Sequence, residues 1–272
     1  MNYRKLAARS RALSISIVAL LVFASLCTRF EAFAQDTQAR TPTETVREFY
    51  KAMREKRFRE AFGLSIYKPA IDGLSTEEFE ELRPDFEKVA ATISEKIEVS
   101  GEQMSGDSAT VFVRDADTNK SDADKSDQPE PISLVREGGV WIIGDRENQE
   151  IVRKAGKQFF FQARIETHQS EVQAMLRRIS LVQLAYASEH NNTYADLPTL
   201  ITAGLVPKDI ETSETTGYRF HLALAKDAKS WTAGAEPVRY GRTGRLSFFL
   251  DRTGIRSADI GGKLLILPPE KQ

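Results

Sequence analysis

Between Arg164 and His190, Val172, Met175, Leu176, Ile179, Val182 and Tyr186 recur at intervals of three and four. That period belongs to one face of a long α-helix, and such a face must be covered. The chain that follows is suited to cover it. Asn191-Asn192 ends the helix, and strand patterns occupy 217–224, 230–235, 246–251 and 255–258. Asp251-Arg252-Thr253-Gly254 reads as the turn joining the last two. One long helix followed by an antiparallel meander predicts an α+β module over 164–272.

The same order of elements is written earlier, with different punctuation. Thr41-Pro42-Thr43-Glu44 has the spacing of a capping box, with proline in the first turn. Val46, Phe49, Tyr50, Met53, Phe58, Ala61 and Phe62 then follow at helical spacing. Ser75-Thr76-Glu77-Glu78 marks a second start, continued by Phe79, Leu82, Phe86, Val89, Ala90 and Ile93, with Pro84 expected to split or kink that helix. The period then changes to two. Ile97 and Val99, then Ala109, Val111 and Val113, predict a hairpin punctuated at 101–107. Ile132–Val135 and Val140–Ile143 predict another around Gly138-Gly139. The expected fold class is therefore α+β in two modules, 41–150 and 164–272, joined by a helical segment at 151–163. Phe159-Phe160-Phe161 in that joint is expected to bury against one or both modules.

Charge and cysteine usage narrow the function classes. With 38 Lys+Arg against 39 Asp+Glu in 272 residues, no general basic surface is available for nucleic acid. A single cysteine excludes an internal disulfide framework and a Cys-rich zinc site. No cofactor is expected. Residues 1–34 read as a secretory signal: Arg4, Lys5, Arg9 and Arg11, an apolar run from Ala12 to Cys27, then Ala32-Phe33-Ala34 before Gln35. The run is short of the ~20 apolar residues of a spanning helix. An uncleaved anchor is the alternative, and would be the chain's membrane contact. Leu26 before Cys27 fits a lipoprotein signal poorly. Cleavage removes five basic side chains and one acidic, leaving 33 against 38 and a net charge near −5. The expected location is periplasmic or extracellular.

Thr43–Phe62, with strands ending in Gly138-Gly139-Val140-Trp141-Ile142-Ile143-Gly144-Asp145, resembles the NTF2-like superfamily, more narrowly its small secreted members. The resemblance implies a cone with an apolar pocket between helices and sheet. The later half resembles the globular domain of type IV pilins and pseudopilins. Residues that carry this likeness include Tyr186, Tyr194, Leu197, Gly204, Tyr218, Trp231, Gly244, Phe248, Asp251 and Gly254. The prepilin cleavage site and apolar polymerisation helix do not precede the helix at Arg164, so the likeness implies a reused head rather than a filament subunit.

Candidate sites follow from these readings. An isomerase-like site in the first module would need a base in a dry pocket and donors at the oxyanion. Its material would be Tyr50, Tyr67, Asp72 and Asp85, although Tyr50 also reads as a core residue, Asp72 as a turn residue and Asp85 as a solvated helix residue. Asp115, Asp117 and Asn119 match the first ligand positions of a calcium loop. Lys120 and Ser126 stand where glycine and glutamate should be, so the segment to Glu130 reads as a polar hairpin loop. Arg239, Arg242, Arg245, Arg252 and Arg256 form a basic cluster that could meet an anionic partner or stand in solvent. His168 reads as solvated beside Glu171, His190 as a helix C-terminal cation, and His221 as a surface strand residue. The functional expectation is a non-enzymatic binding or scaffolding protein of the cell envelope with another envelope protein as partner. The alternative is a small-molecule binder or isomerase-like enzyme using the first pocket.

Overall fold

A computed structural model describes residues 40–115, 129–213 and 216–266. The signal segment, and Asp117 and Asn119 of the calcium-like pattern, lie outside the described residues. The fold is α+β, with two antiparallel four-stranded sheets in the orders β1-β2-β3-β4 and β5-β6-β7-β8. The strands are β1 (Ile97–Ser105), β2 (Ser108–Asp115), β3 (Glu130–Glu137), β4 (Val140–Ile143), β5 (Tyr218–Leu224), β6 (Trp231–Pro237), β7 (Leu246–Asp251) and β8 (Gly254–Asp259).

Before the first sheet come α1 (Pro42–Arg54), α2 (Phe58–Gly63), α3 (Lys68–Asp72) and α4 (Thr76–Ala91). The expected capping box of Thr41 with Glu44 forms, and the second helix start carries one as well, Ser75 with Glu78. Each satisfies amide donors that the first turn leaves without helical partners. Pro84 does not split α4, which runs on to Ala91. A proline there costs one helical hydrogen bond and a clash, about 3 kcal/mol. Capping at Ser75 and burial of Phe79, Leu82 and Phe86 work against that cost.

β1 also runs further than the sequence pattern indicates. It passes through Gly101 with a register shift between Val99 and Gly101, and turns only at Gly106-Asp107. A bulge lets a strand absorb an extra residue without ending the ladder. The second hairpin turns where expected: Gly138 and Gly139 have φ of +55° and +84°, a conformation that residues with a Cβ seldom adopt. α1 packs Val46 against Val111, Leu134 and Trp141 on one face of the first sheet. Val135, on the other face, packs with Ile66, Ala70 and Val152.

α5 (Arg146–Ala155) ends at Gly156, and α6 (Gln158–Glu189) then runs for 32 residues. The long helix thus starts six residues before Arg164, and the triple phenylalanine is its first turn. Phe161 is fully buried with Phe58, Phe62, Phe79 and Phe86, and Phe160 packs against the same group. Further along, Val172, Leu176 and Ile179 pack on Ala233, Ala235, Phe248 and Leu250 of the second sheet. One helix therefore belongs to the cores of both halves. It stops at Asn191 and Asn192, whose φ values are +53° and +57°. α7 (Leu197–Thr202), capped by Asp196, then brings Leu200 into the second core.

Candidate functional site: a charged junction between the halves

Glu78, Glu81 and Asp85 are spaced by three and four residues along α4, which places them on one face of that helix. α6 and the loop before β7 bring basic side chains to this face. Arg164 Nε donates to Asp85 Oδ2 at 2.6 Å, and its Nη1 donates to Glu81 Oε1 at 3.0 Å. Its Nη2 donates to the Glu81 carbonyl at 2.6 Å. The Arg164 side chain is only 6% exposed. Glu81 Oε1 also accepts from Arg239 Nη2 at 3.0 Å. Glu78 Oε1 faces Lys157 Nζ at 3.2 Å and Arg242 Nη2 at 3.5 Å. The Arg242 guanidinium stacks 4.0 Å above the Phe161 ring, a cation–π contact on the buried aromatic group.

The loop is fastened to α6 as well. His168 Nδ1 lies 3.0 Å from the Thr243 carbonyl, and Gln169 Oε1 accepts from the amides of Arg245 at 3.2 Å and Leu246 at 3.0 Å. Gly217, at φ +65°, allows this approach: a Cβ there would stand 2.6 Å from His168 Nδ1.

This geometry corrects two sequence readings. Asp85 does not stand free in solvent: still partly exposed, it accepts from a buried guanidinium of a distant helix. His168 is buried and turned to Thr243, not held in solvent beside Glu171. Arg164 and His168 continue the Val172–Leu176 row backward at intervals of four, so a position-only reading of the stripe would have placed both inside. The partner residues carry no such signal.

The other candidates do not converge. Tyr50 is half-buried against the first sheet, where burial and then the Glu130 charge push its phenol pKa up. Tyr67 lies among Phe62, Phe159 and Phe160, and burial, then Asp145, raises its pKa too. Asp72 pairs with Lys68 at the surface. Phe58, Phe62, Phe86, Phe160 and Phe161 pack together among the first-half helices. Asp115 accepts from Ser94 Oγ at 2.5 Å. Of the basic cluster, Arg239 and Arg242 meet the acidic face of α4, whereas Arg256 pairs with Asp251. Arg245 and Arg252 are outside this ion-pair group; Arg252 is exposed in the turn between β7 and β8. His190 stacks on Tyr186 at 3.8 Å, and His221 Nε2 lies 2.9 Å from Glu236 Oε1.

Among the described residues, no group of three or more His, Cys, Asp or Glu side chains is placed to hold a metal ion, and no helix is long and apolar enough to cross a membrane. Comparison with family models, curated proteins and solved structures finds no match to this chain.

Chemically, the junction is a fastening: carboxylates on one helix face guanidinium groups from two other segments. Arg164→Met removes the charge while keeping much of the volume, and leaves Glu81 and Asp85 without their buried partner. Both carboxylates retain some solvent contact, so the expected loss is about 2 kcal/mol, below the range for a fully buried pair. Arg164→Lys should recover little, because one ammonium cannot reproduce donation from Nε, Nη1 and Nη2 together. Urea titration of the three proteins measures both effects.

The junction should also respond to acid. The Ser75 amide, then Lys157 and Arg242, hold the Glu78 pKa below its ordinary 4.5. A depressed carboxylate contributes stability that is fully present above its unfolded-state pKa and is lost as pH falls through the folded one. Unfolding midpoints should therefore be insensitive to Glu78 from neutral pH down to about 5 and fall below 4.5. Glu78→Gln should flatten the part of that fall that Glu78 supplies.

Proposed function

We propose that the chain is an exported, non-enzymatic scaffolding protein of the bacterial cell envelope, binding another envelope protein. The observation that carries this reading is the shared helix. α6 is part of both cores, and the α4 carboxylates tie its first turns to the loop before β7. Two sheets held at a set separation suit a protein that presents two surfaces to partners at once. The basic n-region, apolar run and Ala32-Phe33-Ala34 support export, and the pilin-like pattern supports a place near a pilus or secretion apparatus.

The test is crosslinking of the exported protein in intact cells, with photoreactive groups introduced at exposed positions on each half. Expected are discrete adducts with the same envelope protein from both halves, and an N-terminus at Gln35. Adducts indistinguishable from those of an unrelated exported protein would overturn the scaffold reading, and a chain retained in the cytoplasm would overturn the location.

A further inference from the structure

α1 carries an outward basic stripe. Arg47, Lys51 and Arg54 are exposed and, at spacings of four and three, share one face of the helix. None of the three has an ion-pair partner among the described residues. The exposed Arg40 stands just before the helix, and its charge, like that of Arg47, acts on Glu44. The acidic residues that border the stripe are taken up elsewhere. Arg57 holds Glu48 at 3.1 Å and Glu55 at 2.7 Å, and pairs with Glu60 as well. Glu44 turns its carboxylate to the Thr41 amide at 2.8 Å. The stripe therefore keeps a local positive potential, although the chain after cleavage has a net charge near −5.

We infer that this stripe rests on an anionic phospholipid surface. The order of the chain selects that occupant. The apolar run ends at Cys27, and the twelve residues from there to Arg40 reach at most about 40 Å. While the run lies in a bilayer, α1 is the first described element to follow it, within reach of the headgroups. One Lys or Arg near an anionic surface is worth roughly a fivefold preference over a neutral one, so three give about a hundredfold. The rest of the mature chain is net acidic and is repelled, so the attraction holds only when α1 faces the bilayer. The location rests on export of the chain; the affinity for anionic lipid does not.

Co-flotation with vesicles tests this, using phosphatidylcholine alone and with about one third phosphatidylglycerol. The protein is produced from Gln35 onward, which keeps every described residue, so a failure of export cannot be mistaken for a failure of the stripe. Expected is binding to the anionic vesicles only, lost as salt shortens the Debye length from ~20 Å to ~4 Å. The triple variant Arg47→Gln, Lys51→Gln and Arg54→Gln should partition about a hundredfold less. Arg177→Gln, Lys208→Gln and Lys226→Gln together remove three exposed cations of the other half and should leave binding unchanged. All six positions are exposed, and circular dichroism will show that both variants remain folded. Equal flotation with neutral and anionic vesicles, or none with either, overturns the inference. So does a matching loss in both triple variants, which would report net charge alone. Binding to soluble polyglutamate with none to vesicles would assign the stripe to an acidic polypeptide and overturn the lipid surface.

Discussion

Replacement of Phe161 by alanine is expected to lower the unfolding free energy by about 4 kcal/mol, near the middle of the range for truncating a buried phenylalanine. The ring is fully buried and packs with Phe58, Phe62, Phe79 and Phe86. Surrounding helices can collapse only partly into the space it leaves, so lost burial and a residual cavity both contribute. Phe161 also has a second role. It is the platform under Arg242, a residue of the C-terminal half that faces Glu78. Truncation therefore loosens the aromatic core and the charged junction together.

Each half contains one of the chain's two tryptophans, Trp141 in β4 and Trp231 in β6. Urea titrations of single-tryptophan proteins, with the other residue replaced by phenylalanine, report the halves separately. Because α6 is common to both cores, the two midpoints should fall together in Phe161→Ala. A Trp231 midpoint that stays in place while Trp141 moves would refute the coupling. Phe161→Leu should show the same pattern at a smaller amplitude, since it removes less volume.

Gly244→Ala should be nearly as damaging, at about 3 kcal/mol, the upper end of the cost of overpacking a core. The reason is steric. A Cβ on Gly244 would overlap the hydroxyl and ring carbons of Tyr218. Tyr218 is fully buried, its ring packs on Phe248, and its hydroxyl donates to the Leu246 carbonyl at 2.9 Å. Burial pushes the phenol pKa up, so the group remains a neutral donor across the physiological range. The ring has little room to retreat, because it belongs to the buried core that α6 forms with β6 and β7. Tyr218→Phe is the control. It loses one hydrogen bond and should cost about 1 kcal/mol. In the Gly244→Ala background it should recover only part of the loss, because ring carbons overlap the new methyl as well as the hydroxyl. Thermal unfolding by calorimetry gives all four corners of that cycle. Full additivity of the two substitutions would contradict the overlap.

Much of the architecture was legible because it is written in local interactions. Thr41 with Glu44, and Ser75 with Glu78, are contacts across three residues, so the helix starts could be read directly. The Gly138-Gly139 and Asn191-Asn192 breaks depend on the φ preferences of the residues themselves. The apolar period of α6 and the alternation in the strands each name a buried face without naming what lies across it. Errors arose where a local rule met a longer-range one. Pro84 is a helix breaker by itself, yet α4 continues through it while Phe79, Leu82 and Phe86 are buried. The start of α6 was missed because its first turn draws support from the aromatic residues of the other half, not from its own sequence.

The candidate site was the least legible part. Arg164 bonds to groups 79 and 83 positions earlier, and Arg239 to one 158 positions earlier. No spacing rule spans such separations, so Asp85 and His168 read as solvated while each was buried or paired by a distant element. The sequence by itself determined the fold class, the helix caps and turns, and which face of each element turns inward, because residues within about four positions settle those choices. Only the tertiary structure decided that one helix serves two cores, that the acidic face of α4 meets the arginines before β7, and that Leu181 and Leu184 remain uncovered. Those outcomes depend on which surfaces meet in space, and complementary charge and shape acquire meaning only when the chain has brought them together.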